Sequence, residues 1–175
     1  MGDKPDLNWN QLDVLTEEVR SGAGPGTPAW DAAKSHTRRF NEAFIEEFRS
    51  TGGKVPGELG EVDILLLTAR GAKSGEARTV PVGFHRIDGR LIILASMGGA
   101  DKNPPWYYNV VANPEVTVEL GADTFRATAT VTKGDDRDQL FATVCERMAV
   151  FAEYQERTTR LIPVIELTRL DESTG

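Results

Sequence analysis

The segment Thr68-Ala-Arg-Gly-Ala-Lys-Ser-Gly-Glu-Ala-Arg-Thr79 concentrates polar chemistry in this chain. Gly71 and Gly75 permit a turn whose backbone N–H groups point toward a ligand, and Arg70, Lys73 and Arg78 bring positive charge to it. Between positions 70 and 86, four basic residues (Arg70, Lys73, Arg78 and Arg86) stand against a single acid, Glu76, in a chain whose formal net charge is −7. A basic, glycine-containing turn in an acidic protein is a place for an anionic ligand. A hairpin with solvated Lys and Arg accounts for the same residues equally well, since short charged turns are common. The turn is not a Walker A loop, which needs Gly directly before the Lys where this chain has Ala72.

A second segment, Ala95-Ser-Met-Gly-Gly-Ala-Asp-Lys-Asn-Pro-Pro-Trp-Tyr-Tyr-Asn109, runs from a strand through a glycine pair into a helix start. Asp101 or Asn103 is placed to cap that helix, and Pro104 or Pro105 suits its first turn. A helix N-terminus beside glycine amides favours an anion or a carbonyl-rich ring. The plainer reading is a tight turn followed by core aromatics, which suits Trp106 and Tyr107 better than a ligand role. Packing alone explains the paired Gly98 and Gly99 less well. In a third segment, Phe151-Ala-Glu-Tyr-Gln-Glu-Arg157 followed by Arg160-Leu-Ile-Pro163, Phe151 and Tyr154 share a helix face. They wall an apolar pocket or belong to the core, and the residue pattern alone favours the core.

The remaining reactive types read as structural. His36 lies on a charged helix face and is expected to be solvated, His85 sits in a strand beside a turn, and Cys145 falls in a helical pattern as a small hydrophobe. With two histidines and one cysteine, no zinc or iron spacing appears and no metal is expected. No Ser–His–Asp set can be built from the spacing.

Elements must position these segments. Residues 1–29 read as a weakly structured, flexible segment with a short helix around Leu7 to Val19, ending in the linker Ser21-Gly-Ala-Gly-Pro-Gly-Thr-Pro28. The domain proper is placed at 30–175. Phe40, Phe44, Ile45 and Phe48 recur at helical spacing within a helix from Trp30 to Arg49. Strands are predicted over Val62–Ala69, Ala77–Arg86, Leu91–Ser96, Val116–Leu120, Phe125–Thr132 and Ile162–Thr168, with Asp88-Gly89 as a hairpin turn. Helices are predicted over Pro104–Ala112, Asp135–Met148 and Phe151–Arg157. Six strands in hairpin order suggest a closed or half-closed antiparallel barrel of the α+β class. The order is not βαβα, which disfavours a Rossmann fold.

The 175 residues fit one domain, and 39% hydrophobic with 27% charged residues is an ordinary globular balance. The acidic charge argues against general nucleic-acid binding. No apolar run approaches the ~20 residues of a membrane span. Met1 to Asn10 lacks the apolar core of a secretion signal. A single cysteine makes a reducing cytoplasm the simplest setting, with peripheral membrane contact left open.

The run Leu65 to Val82, Asp88-Gly89, the segment Ala95 to Asn109 and Ala112-Asn-Pro-Glu-Val-Thr-Val118 together closely resemble the deazaflavin-dependent nitroreductase family, and Tyr154-Gln155 with Arg160-Leu-Ile-Pro-Val164 is similar to its C-terminal signature. The resemblance spans about 130 residues, from near Phe40 to the last strand. It implies a split β-barrel of the flavin-mononucleotide-binding type and coenzyme F-420, an 8-hydroxy-5-deazaflavin with a phospholactyl and polyglutamate tail. Lys73 and Arg78 would then hold the phosphate and acidic tail, with donors from Ser74 and Gly75. Thr79, Val80, Pro81 and Val82 would line the ring. Ala95, Ser96, Met97, Gly98, Gly99 and Ala100 would contact ring and linker, and Trp106 and Asn109 would hold that wall. Three departures are visible. Met97 stands where many members have Lys or Asn, with Lys102 nearby to supply charge. Gly83 stands where the nitroreductase prototype has Tyr, and Phe151 replaces a pocket Tyr while Tyr154 matches.

The resemblance implies hydride transfer to an electron-poor acceptor (a quinone, a conjugated enone, incidentally a nitroaromatic) bound near Gly83, Phe151 and Tyr154. The coenzyme carries the hard chemistry, which fits the lack of a triad or metal cluster. Tyr154, Ser96 or solvent would supply the proton. A flavin-mononucleotide-dependent reductase on the same barrel and a non-catalytic lipid- or ligand-binding barrel are the alternatives. The partners expected are a small-molecule acceptor and, for assembly, either a monomer or a homodimer.

Overall fold

A computed structural model describes residues 27–54 and 63–171. The expectations for residues 1–26, the short helix near Leu7 to Val19 included, lie outside the described residues. Four helices and six strands follow in order: α1 (Pro28–Ser50), β1 (Ile64–Arg70), β2 (Ala77–Ile87), β3 (Arg90–Leu94), α2 (Pro105–Ala112), β4 (Glu115–Leu120), β5 (Asp123–Val131), α3 (Gly134–Arg147), α4 (Val150–Glu156) and β6 (Val164–Arg169). The strands close into a barrel in the order β1-β2-β3-β6-β5-β4, every neighbouring pair antiparallel. This is the six-stranded antiparallel barrel with helices read from the sequence.

Alternation along each strand builds two faces. Leu65, Leu67 and Ala69 of β1 point inward and join Val82, Ile93, Val118, Ala127, Ile165 and Leu167 in the barrel core. Ile64 and Leu66 point outward onto Phe40, Phe44 and Phe48 of α1. Those three rings lie four residues apart and stack, with centroids 6.4 and 6.1 Å apart. On another outer face Ile92, Leu94 and Val164 meet Leu140 and Val144 of α3, with Phe151 and Tyr154 of α4 packed alongside. Helix α2 sits over the barrel interior through buried Val110 and half-buried Trp106 and Tyr107, as their core reading requires.

Turn chemistry fixes the register. Asp88 and Gly89 both have positive φ, 51° and 78°, and join Ile87 to Arg90 in a two-residue hairpin. Arg90 then forms paired hydrogen bonds to Glu166 of β6 and Asp136 in the first turn of α3. Its guanidinium holds the Asp136 carboxyl below the usual carboxylate range.

Four local expectations change. Thr27 and Pro28 end no linker: Thr27 Oγ1 caps α1 by accepting from the Trp30 N–H, and Pro28 opens the helix. Neither Asp101 nor Asn103 caps α2; Pro104 occupies that position without a side-chain cap. His36 is half-buried rather than solvated, and its Nε2 is enclosed without a hydrogen-bond partner. Cys145 is half-buried, and that desolvation pushes its thiol up. Among the described residues no helix is long and apolar enough to cross a membrane.

Candidate active site

The basic turn between β1 and β2 is cross-linked by its own backbone. The Gly71 N–H donates to the Glu76 carbonyl at 2.7 Å, and the Gly75 N–H donates to the Gly71 carbonyl at 2.9 Å. Gly71 is buried, and a Cβ on it would fall 2.5 Å from Ser74 Oγ. Ser74 Oγ accepts from the Glu76 N–H at 3.2 Å. The Gly75 amide and the Ser74 oxygen thus shape the turn, and the groups it extends outward are the exposed Lys73 and Arg78 side chains. Arg78 pairs with Glu76 at 3.1 Å, both well exposed, a contact worth little and easily exchanged for an anionic ligand.

Helix α2 ties this turn to the second segment. Asn109 Oδ1 accepts from the Ala72 N–H at 3.0 Å, and Asn113 Nδ2 donates to the Arg70 carbonyl at 3.3 Å. Asn109 therefore anchors the basic turn, and Trp106 joins the packing over the barrel core.

Along β2 the alternation divides the residues expected at the ring. Val80, Val82 and Phe84 turn inward and pack in the barrel core. Thr79, Pro81, Gly83 and His85 oppose Thr68, Leu66, Ile64 and Ile92 across the ladders, and so share the outer face with them. Thr79 and Thr68 hydroxyls hydrogen-bond at 2.7 Å. The outer face of β2 thus presents Thr79, Pro81 and Gly83 as a path leading to His85.

After β3 the chain turns sharply through Met97, Gly98 and Gly99, all with positive φ (45°, 61° and 81°). Glycine tolerates this conformation, whereas Met97 is strained in it and needs surrounding contacts to persist. Arg160 supplies them. Its guanidinium donates to the carbonyls of Ala95 (3.1 Å), Ser96 (2.8 Å) and Ala100 (2.7 Å), and to Asn103 Oδ1 (2.7 Å). Burial lowers the Arg160 pKa, against the opposing pull of Tyr108, Asp101 and Tyr107. Gln155 fixes the loop that carries this arginine: its Nε2 donates to the Arg160 carbonyl, and its Oε1 accepts from the Ile162 N–H. Buried Arg137 donates twice to the Ile162 carbonyl.

Helix α4 closes the other side. Arg157 donates to the Gly98 carbonyl at 3.4 Å and lies over the Tyr154 ring. Phe151 stands edge-on to Tyr154 (5.6 Å between centroids) and to His85 (5.5 Å). Lys102 is exposed beyond the turn, and Ser96 is half-buried within it. Sequence reasoning gave Arg160 no role beyond a signature position, read His85 as a structural strand residue and offered Asn103 as a helix cap. Their partners lie far along the chain, 57 to 65 residues away for Arg160, so no local pattern exposes them.

Two recesses lie elsewhere. One of about 290 Å³ is bordered by Arg86, Arg90, Asp123, Phe125 and Arg169, and another of about 270 Å³ by Tyr107, Lys133, Arg137 and Leu161. In the first, Arg90 and Arg169 are already neutralised by Glu166 and Asp123. Neither touches Lys73, Ser96 or Tyr154.

Residues 40–169 match the family described as F420H(2)-dependent quinone reductase. The chain is 37% identical over 126 residues to an F420H(2)-dependent quinone reductase of Mycobacterium tuberculosis, covering 70% of this chain and 85% of the relative. A solved F420-H2 dependent reductase (FDR-A) is 40% identical, covers 60% of this chain and 93% of its own, and superposes with a TM-score of 0.55. A structure described as a domain-swapped dimer is 37% identical, covers 78% of this chain and 97% of its own, with a TM-score of 0.58.

Proposed function

The chain belongs to the F420H(2)-dependent quinone reductase family, an oxidoreductase family with coenzyme F420, and from that premise we propose that it reduces a quinone bound between the outer face of β2 and helix α4. The observation that supports this placement is the Ala95–Ala100 turn, pinned by Arg160 at the same end of the barrel as the cationic β1–β2 turn. The donor set suits the coenzyme: exposed Lys73 and Arg78 complement an anionic tail, and the pinned turn offers backbone to a polar ring. Val80 and Val82 contribute backbone and core packing here, while Thr79, Pro81 and Gly83 line the outer face.

Bound F420H(2) supplies the hydride. The protein's residues bind, orient and exclude water. Lys73 and Arg78 hold the tail. Arg160 keeps the 95–100 turn in a single conformation, and Phe151 and Tyr154 form the aromatic wall. The Tyr154 hydroxyl, the Ser96 hydroxyl or solvent returns the proton to the reduced acceptor. Conjugated enones have the same electron-poor carbonyl character and belong to the proposed acceptor range, with nitroaromatics incidental. A cytoplasmic setting fits a protein working on a reduced coenzyme.

Fluorescence titration with F420 and with flavin mononucleotide, followed by menadione reduction with F420H(2), tests the reading. Tight F420 binding with quinone turnover is expected. Preference for flavin mononucleotide, or F420 binding without turnover of any quinone, overturns it.

A further inference from the structure

His85 has no role in the reading above, yet it stands at the acceptor wall. It lies on the outer face of β2 opposite Ile92, two residues beyond Gly83, and its ring meets Phe151 edge-on at 5.5 Å. His85, Phe151 and Tyr154 therefore form one continuous row of rings. Gly83, beside this row, has no conformational need to be glycine: its φ is ordinary, and a Cβ there would meet only the Asp63 carbonyl oxygen at 3.8 Å. The missing side chain leaves space on the same strand face as the imidazole.

The ring nitrogens matter most. Neither has a hydrogen-bond partner among the described residues, and neither is an enclosed orphan like Nε2 of His36. Phe151, Ile92 and Gly83 offer it no side-chain partner, and the charged groups that act on it, Arg147 and Asp63, form no hydrogen bond with it. A residue serving only to pack against Ile92 and Phe151 would be as well replaced by Leu. A quinone, by contrast, gathers negative charge on its carbonyl oxygens as it is reduced, and a donor aimed at that oxygen stabilises the change.

Resting on the functional reading above, we propose that His85 is the polar specificity residue of the acceptor pocket, its imidazole N–H donating to a carbonyl oxygen of the quinone. The Phe151 and Tyr154 rings hold the apolar body of the acceptor, and His85 orients its polar end. The imidazole donates a hydrogen bond without transferring its proton.

The chain's only two histidines are His36 and His85, which makes the test direct. The histidine ring C–H resonances are recorded for the protein loaded with oxidised F420 and titrated with menadione, a complex that cannot turn over. His85→Gln assigns the signals. The His85 signals should shift and saturate while those of His36 stay in place. In steady-state assays with F420H(2), His85→Leu should raise the menadione KM about tenfold, and His85→Gln, which keeps an N–H donor, only a few-fold. The fluorescence-derived F420 Kd should be the same for both variants and wild type. Menadione turnover by wild type with unmoved His85 signals overturns this role alone. A changed F420 Kd in His85→Gln also overturns it, because His85 would then serve the coenzyme or the fold. Absence of any quinone turnover by wild type removes the functional reading and this role together.

Discussion

A Cβ on Gly99 would sit 2.6 Å from the carbonyl oxygen of Tyr154. The turn after β3 therefore presses backbone to backbone against α4, and Gly99 also adopts φ 81°. Gly99 thus has a packing reason, which the sequence reading had not seen. Gly99→Ala should cost roughly 2–5 kcal/mol, the left-handed penalty plus an overpacking term. Gly89→Ala, also at positive φ but with nothing within 4 Å of its would-be Cβ, should cost only about 1–2 kcal/mol. Urea denaturation of the two variants checks the difference. Equal losses would show that the Tyr154 contact yields freely.

Arg160 serves four acceptors at once, and removal leaves three half-buried carbonyls without their donor. Arg160→Met should destabilise the protein by roughly 2–4 kcal/mol and weaken F420 binding, because Met97 loses what holds it in the left-handed region. Arg160→Lys should recover little of either, since one ammonium cannot reproduce the planar fork. Melting curves together with F420 titrations decide it; full rescue by Lys would mean that charge, not geometry, is what matters.

Much of this arrangement was legible in the chain. Asp88-Gly89, the alternation of Leu65 and Leu67 against Ile64 and Leu66, and the four-residue spacing of Phe40, Phe44 and Phe48 are local signals, and each led to the element observed. The charge of the 70–78 turn was equally plain. What stayed hidden depends on contacts between distant segments. Arg160 gives no local sign of its four acceptors until β3 and α4 are brought together around it. Val80 and Val82, expected at the ring, have side chains that the ladder phase turns toward the barrel core, a direction the sequence reading did not give. Asn103 looks like a helix cap because Asn commonly is one, yet the Pro104-Pro105 pair already sets that helix start and frees its amide for Arg160.

Lys73 and Arg78 extend from a turn whose backbone hydrogen bonds do not involve their side chains, and Arg78 pairs with the exposed Glu76 carboxylate. Lys73→Ala and Arg78→Ala should each weaken F420 binding by about 1–3 kcal/mol, the range for charge-assisted hydrogen bonds, while leaving the melting temperature unchanged. Raising the salt concentration should weaken the wild type in the same direction. Glu76→Gln should tighten binding slightly, because it releases Arg78 from an exposed pair of little intrinsic worth. Unaltered titrations for both alanine variants would remove these residues from the coenzyme site.

Gly83 can accept a side chain, with only the Asp63 carbonyl oxygen near at 3.8 Å. Gly83→Ala should leave stability unchanged or raise it by about 0.4–1 kcal/mol, through reduced freedom of the unfolded chain. If this position borders the acceptor, the same variant should raise the KM for a bulky quinone while the F420 Kd stays constant. Identical kinetics on small and bulky quinones would place the acceptor elsewhere.

His85 gives the clearest dependence on pH. Burial lowers its pKa from the ordinary 6.5, with the positive charge of Arg147 on α3 acting in the same direction and Asp63 opposing both. Phe151 of α4 faces the ring without charge. A group whose folded pKa is depressed binds its proton more readily in the unfolded chain. Stability associated with it is therefore fully present above about 6.5 and is lost as pH falls through the lowered folded value. The measurement is the stability difference between wild type and His85→Gln from about pH 8 to about pH 5, where titrations common to both cancel. Wild type should lose ground to the variant as the solution is acidified. Arg147→Gln should shrink that loss, because it removes the cation that disfavours the imidazolium, although the Arg147 hydrogen bond to the Arg86 carbonyl at 2.6 Å goes with it. A difference that stays flat across the range, or one that grows in favour of wild type at low pH, would show that the imidazole is not desolvated in its place on β2.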